Sequence, residues 1–152
     1  MTRFRRILHP TDFSPASRAA LTKAVELARA SRAELILAHV LQPVMPMMGG
    51  EYVSPRVLDD LTRSTRAEAE HQLQILAARA KKSVPRVSMR LVEGTPFTEI
   101  TKLARAVRAD LIVVGTHGRS GLSKLFLGSV AERVVGTAPC PVLTVRGKAG
   151  SR

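Results

Sequence analysis

Leu111-Ile112-Val113-Val114-Gly115-Thr116-His117-Gly118, then Arg119-Ser120-Gly121-Leu122-Ser123-Lys124-Leu125-Phe126-Leu127, then Gly128-Ser129-Val130, is the stretch from which the rest of this chain can be read. Its first four residues are wholly apolar and mostly β-branched, the pattern of a strand buried on both faces of a parallel sheet. Beyond Gly128 and Ser129, Val130, Ala131, Val134 and Val135 recur at helical spacing. The chain therefore passes from a buried strand, through a glycine-rich turn, into a helix. An anion suits such a turn for three reasons. Glycines such as Gly115 and Gly118 let a ligand approach the backbone closely, the N–H groups of a first helical turn have no internal partners, and the helix dipole adds partial positive charge. Ser129 places a hydroxyl at the same point.

The spacing excludes two familiar phosphate loops. There is no G-x-x-x-x-G-K-[S/T] for a P-loop nucleotidase and no G-x-G-x-x-G for a dinucleotide fold of the usual kind. What stands instead is G-x-x-G, nine residues, then G-S: Gly115, Gly118, Gly128, Ser129.

Working outward, residues 4–9 read as a first strand centred on Ile7 and Leu8, left through Pro10-Thr11-Asp12-Phe13. Ser14-Pro15 then opens a helix, Ser as N-cap and Pro at the first helical position, and the same device recurs at Ser54-Pro55 and Thr95-Pro96. The first helix is expected to reach Ala30, burying Leu21, Ala24, Val25 and Ala28. Residues 34–41 form a second strand around Leu35-Ile36-Leu37-Ala38. Residues 42–53, with Pro43, Pro46, Gly49, Gly50 and three methionines, read as a long irregular loop. A long helix over 54–83 carries Leu58, Leu61, Thr65, Ala69, Leu73, Leu76 and Ala80 on one stripe. Residues 87–92 are a third strand, and Phe97, Ile100, Leu103, Ala104 and Val107 face inward on the helix after Thr95. The fourth strand is the opening stretch. Gly136-Thr137-Ala138-Pro139 ends the last helix, and residues 142–145 are a fifth strand; residues 146–152 read as a frayed tail.

The chain of 152 residues is read as one domain, and it is large enough to bury a core. Its 45% hydrophobic and 24% charged residues describe a globular chain, and with 3% aromatics that core must be aliphatic. No apolar run is long enough to cross a bilayer. The basic start is cut short by His9-Pro10-Thr11-Asp12, which argues against a signal peptide. The single Cys140 rules out an internal disulfide and is read as a small buried residue. A cytoplasmic address is the resulting expectation. The net charge of +12 is what nucleic-acid binders often show, but the arginines are spread over amphipathic helices without an arginine-rich tail or aromatic stacking platform. That distribution favours a solvated basic surface that attracts nucleotide anions over specific nucleic-acid binding.

Alternation of strand and helix predicts an α/β fold: a doubly wound five-stranded parallel sheet, strand order 3-2-1-4-5, helices on both faces, Rossmann-like. In such sheets ligands bind beyond the carboxyl ends of the strands, where the order reverses. Here that brings Pro10, Thr11 and Asp12 opposite Gly115, Thr116, His117 and Gly118, which follow the site residue Val114.

The glycine spacing, with Ile7-Leu8-His9-Pro10-Thr11-Asp12-Phe13-Ser14, Leu37-Ala38-His39-Val40 and Pro141-Val142-Leu143-Thr144-Val145, resembles the universal stress protein family in its single-domain ATP-binding form, over nearly the whole chain. The resemblance implies that Asp12 contacts the nucleoside and Val40 the adenine, while Gly115, Gly118, Gly128 and Ser129 hold phosphates with Val130 beside them. It also implies ATP, or AMP or ADP, as ligand, Mg²⁺ carried on the phosphates, and a homodimer through the edge strand 142–145, whose exposed edge invites pairing.

Other residues admit two readings each. His117 either donates to a γ-phosphate or makes a local hydrogen bond; Arg119 either pairs with phosphate or faces solvent, and so does Lys124. Asp12 either accepts from the ribose or helps hold Mg²⁺ through water. A metal site built from His9 and His39 is set aside. Phosphoryl transfer needs a positioned nucleophile and base, and the sequence displays no general base. A regulatory nucleotide-binding module with at most slow ATP hydrolysis is therefore expected, ahead of an ATPase or nucleotidyl transferase using the same crevice.

Overall fold

A computed structural model of the chain describes residues 3–45, 47–48, 51–116 and 128–147. The apolar runs form one all-parallel sheet from β1 (Arg6–Pro10), β2 (Glu34–Leu41), β3 (Val87–Glu93), β4 (Leu111–Thr116) and β5 (Val142–Arg146). Across the sheet the order is β3-β2-β1-β4-β5, the expected 3-2-1-4-5. The helices are α1 (Pro15–Ser31), α2 (Pro55–Lys81), α3 (Pro96–Ala106) and α4 (Ser129–Thr137).

All three proline-marked helix starts are where the sequence places them. Ser14 Oγ accepts from Ser17 N–H at 3.2 Å and Ser54 Oγ from Val57 N–H at 3.4 Å, whereas Thr95 makes no capping bond with its side chain. β1 begins two residues later than the apolar pattern suggests. The reason is Asp110, whose carboxylate accepts the Arg5 N–H at 2.8 Å and the Arg6 N–H at 3.2 Å and so occupies the start of the strand. The segment 42–53, expected to be irregular, contains a small antiparallel pairing of Met47–Met48 with Glu51–Tyr52.

Alternating strand residues build two cores, one on each side of the sheet. Ile7, Leu35, Leu37 and Val113 pack on one face with Ala20, Ala24 and Ala28 of α1 and Leu73, Ala77 and Ala80 of α2. Leu8, Ile36, Ile112 and Val114 pack on the other with Ile100 and Ala104 of α3 and Ala131 and Val134 of α4. The seam of α1 is narrower than expected: alanines are buried, and Leu21 and Val25 are only partly so. Small side chains are needed there because α1 comes very close to β4. A Cβ on Gly115 would lie 2.6 Å from the carbonyl oxygen of Ala16. Leu61, placed on the buried stripe of α2 by its spacing, is 43% exposed, because that helix packs through its later turns. Cys140 is half-buried against the second core, and burial, helped by the charge of Asp110, pushes its thiol up from the ordinary value.

Candidate functional site

The turn that leaves β1 is held from several sides. Thr11 N–H donates to the carbonyl of Ala38 at 2.8 Å, tying the turn to β2. The Thr11 carbonyl in turn accepts from Nδ1 of His39 at 2.7 Å, which fixes the proton of that ring on Nδ1. Phe13 adopts a left-handed backbone, φ 63°, with its N–H on the Thr11 hydroxyl at 3.0 Å and its ring against His39, centroids 4.5 Å apart. A bulky residue in that conformation is strained and persists only where its surroundings hold it.

Asp12 is anchored by the start of α1. Its Oδ1 accepts from the Ser14 N–H at 2.9 Å and from the Ser17 hydroxyl at 2.6 Å, while the Asp12 N–H donates to Ser17 Oγ at 3.2 Å. The carboxylate thus has a fixed direction. Behind it, His9 is fully buried between β1 and β4, and Nδ1 donates to the Val113 carbonyl at 2.8 Å. Burial holds its pKa down to about 4, against the hydrogen bond to Val113 and the charge of Asp12, which both act in the opposite direction. Its Nε2 has no hydrogen-bond partner among the described residues.

Opposite the turn, Val114 is 4% exposed in the second core, so only its backbone can face a ligand. Gly115 serves packing directly, through its close approach to Ala16. Pro10 closes β1, and Val40, half-buried near the end of β2, packs against the second core. Gly128 is the N-cap of α4, no side chain among the described residues caps that helix, and Ser129 and Val130 in its first turn are exposed. His117, Gly118, Arg119 and Lys124 lie outside the described residues.

The topology thus gathers Pro10, Thr11, Asp12, Val40, Val114 and Gly115 at the carboxyl ends of β1, β2 and β4, where the strand order reverses. α4 runs back from that end toward the start of β5, which puts its first turn on the same side. Together they offer a charged acceptor, an apolar edge and the backbone donors of a helix start. Sequence reasoning missed Ser17 and His39, which hold the carboxylate and the turn. The signal for Ser17 was its position three residues after a Ser N-cap; His39 stands in the Leu37-Ala38-His39-Val40 stretch, and the sequence raised it only as a metal ligand, not as a partner of the turn. The two histidines each spend Nδ1 on a backbone carbonyl, and among the described residues no group of three or more His, Cys, Asp or Glu side chains gathers as a metal site would require.

A sequence model of the universal stress protein family matches residues 3–146. A curated relative from Thermus aquaticus, a universal stress protein encoded in the QAH/OAS sulfhydrylase 3' region, is 36% identical over 143 residues, covering 94% of this chain and 99% of its own length. The solved structure of the universal stress protein UspA from Lactobacillus plantarum superposes with a TM-score of 0.83 at 29% identity, over 96% of this chain and 100% of that one. A universal stress protein solved in complex with cAMP superposes with a TM-score of 0.72 at 28% identity, over 97% and 100% of the two chains.

Proposed function

This chain belongs to the universal stress protein family, and from that premise and the crevice between β1 and β4 we propose that it is an ATP-binding regulatory module of a stress response. One observation carries the proposal. The anchored Asp12 carboxylate, the apolar Val40 and the first turn of α4 stand at the one end of the sheet where the strand order reverses. An adenine nucleotide presents the complement of each: ribose hydroxyls to donate, a flat base, and a polyanion. The complex of a relative with cAMP supports the same class of ligand.

In this reading Pro10, Thr11 and Asp12 border the nucleoside and Val40 the adenine. The backbone of Val114 and Gly115 and the N–H groups of Ser129 and Val130 receive the phosphates, with Gly118 and Gly128 leaving room and His117 and Arg119 beside them. A helix start fits a phosphate, because the first N–H groups of a helix have no partners within it. Mg²⁺ would be carried by the phosphates, with Asp12 kept for the ribose. The bound nucleotide supplies a conformational signal, and hydrolysis is at most slow. The module works in the cytoplasm as a homodimer paired through the outer edge of β5; gel filtration showing only monomer would remove the dimer from this reading.

Calorimetric titration of ATP with Mg²⁺ into nucleotide-free protein tests the proposal. We expect saturable binding, weakened about tenfold in Asp12→Asn, which keeps the acceptor for Ser14 and Ser17 but removes the charge. Turnover should stay well below roughly 1 s⁻¹, the lower end for ordinary enzymes. Faster hydrolysis would favour the ATPase or transferase reading, and no binding would overturn both.

A further inference from the structure

On the face of the sheet covered by α1 and α2, a cavity of about 160 Å³ opens beside the turn that carries Asp12. Its walls are largely apolar, with Phe13 and Leu21 on one side and Leu76 on the other, and Ile75, 40% exposed, stands at the rim. Two arginines line it as well, Arg18 from α1 and Arg79 from α2, both exposed to solvent at its mouth. No carboxylate does. The acids nearest to its polar lining residues are already engaged, Asp12 accepting from Ser17 at 2.6 Å and Glu68 from Gln72 at 3.0 Å. Neither Arg18 nor Arg79 takes part in an ion pair among the described residues.

Two like charges, supplied by separate helices to the mouth of one apolar cavity, favour an anion between them. A void of this size accommodates one six-membered ring or a short branched chain. We propose that the cavity binds a small amphipathic monocarboxylate, its apolar body against Leu21 and Leu76 and its carboxylate shared by Arg18 and Arg79. Planar guanidinium groups are suited to that exchange, since each can meet a carboxylate with two parallel N–H donors.

The position of the cavity gives its occupant a consequence. Thr11 and Phe13 belong to the turn of Asp12, and Ser17, which also lines the cavity, holds the Asp12 carboxylate. A ligand that fixes this turn alters the affinity of the crevice on the other side, and the nucleotide alters that of the carboxylate by the same factor. This coupling rests on the nucleotide reading; the carboxylate site does not.

The probe is benzoate, titrated into nucleotide-free protein and followed by backbone NMR shifts. Saturable shifts at Leu21, Gln72 and Leu76 are expected, with benzyl alcohol and acetate each at least about tenfold weaker, and with Arg18→Gln and Arg79→Gln each weakening benzoate by about tenfold. Ile75→Glu changes an exposed residue, so the fold is not at risk, and should abolish binding by placing a like charge at the rim. Benzoate binding no tighter than benzyl alcohol or acetate, or unaffected by the arginine substitutions, would overturn the site. AMP titrated with and without saturating benzoate should give two different affinities. Equal affinities would overturn the coupling alone, and an absence of AMP binding in both arms would overturn the nucleotide reading and the coupling with it, while leaving the benzoate result standing.

Discussion

Single residues carry most of the strain and most of the chemistry. His9 takes up a proton at about 6.5 when exposed but only at about 4 in the folded chain, so between those values the unfolded state binds more protons. Stability that is complete above pH 6.5 is therefore lost as the pH falls toward 4, by about 1.4 kcal/mol per unit and about 3 kcal/mol in all. Urea unfolding across that window checks the slope, and an imidazole resonance of His9 titrating near 6.5 in the native protein would contradict it. At Asp12 the carboxylate has a structural duty besides any ligand. Asp12→Ala should cost about 1–2 kcal/mol through the loss of its bonds to Ser14 and Ser17, and Asp12→Asn much less, by thermal denaturation. Three left-handed residues, Phe13, Arg32 and Arg108, were not legible in the sequence. That conformation favours glycine, and the order of amino acids gives no sign when tertiary packing forces another residue into it.

At the level of elements, the five strands and the proline-marked helix starts were legible because each depends on local chemistry, apolar runs in one case and N-cap geometry in the other. Packing depth was not. Leu21 and Leu61 read as core residues by spacing, yet the close approach of α1 at Gly115 and the late packing of α2 leave the first partly buried and the second exposed. The glycine of β4 illustrates the difference, since its spacing suggested phosphate and its surroundings add a steric requirement. Gly115→Ala should destabilise by about 1–3 kcal/mol, because the new Cβ would lie 2.6 Å from the Ala16 carbonyl oxygen. Gly136→Ala, inside α4 with nothing within 4 Å of the added Cβ, should stabilise by about 0.5–1 kcal/mol. Chemical denaturation of the pair checks both signs. Equal effects at the two positions would mean that α1 does not press on β4 as described. The Met47–Met48 pairing with Glu51–Tyr52 also escaped notice, although two glycines between short runs are a recognisable hairpin signal.

For the whole molecule, topology did what no single motif could. The order β3-β2-β1-β4-β5 brings a turn near residue 12 and a strand end near residue 115 to one crevice, a juxtaposition that depends on the reversal rather than on either segment. The candidate site was legible to that extent. What positions Asp12 within it, Ser17 and His39, emerged only with the packing of α1 and β2. The charge of +12 belongs to the same scale. It should give weak, sequence-independent binding to duplex DNA that falls away steeply with added salt, measurable by fluorescence anisotropy at two ionic strengths; tight binding that resists salt would indicate a nucleic-acid function instead. The account as a whole turns on the crevice, and a crystal structure of the protein grown with ATP tests it most directly. It predicts the ribose beside Asp12, the base against Val40 and the phosphates at the first turn of α4, whereas ATP bound elsewhere, or a crevice left empty at saturating ATP, would contradict it.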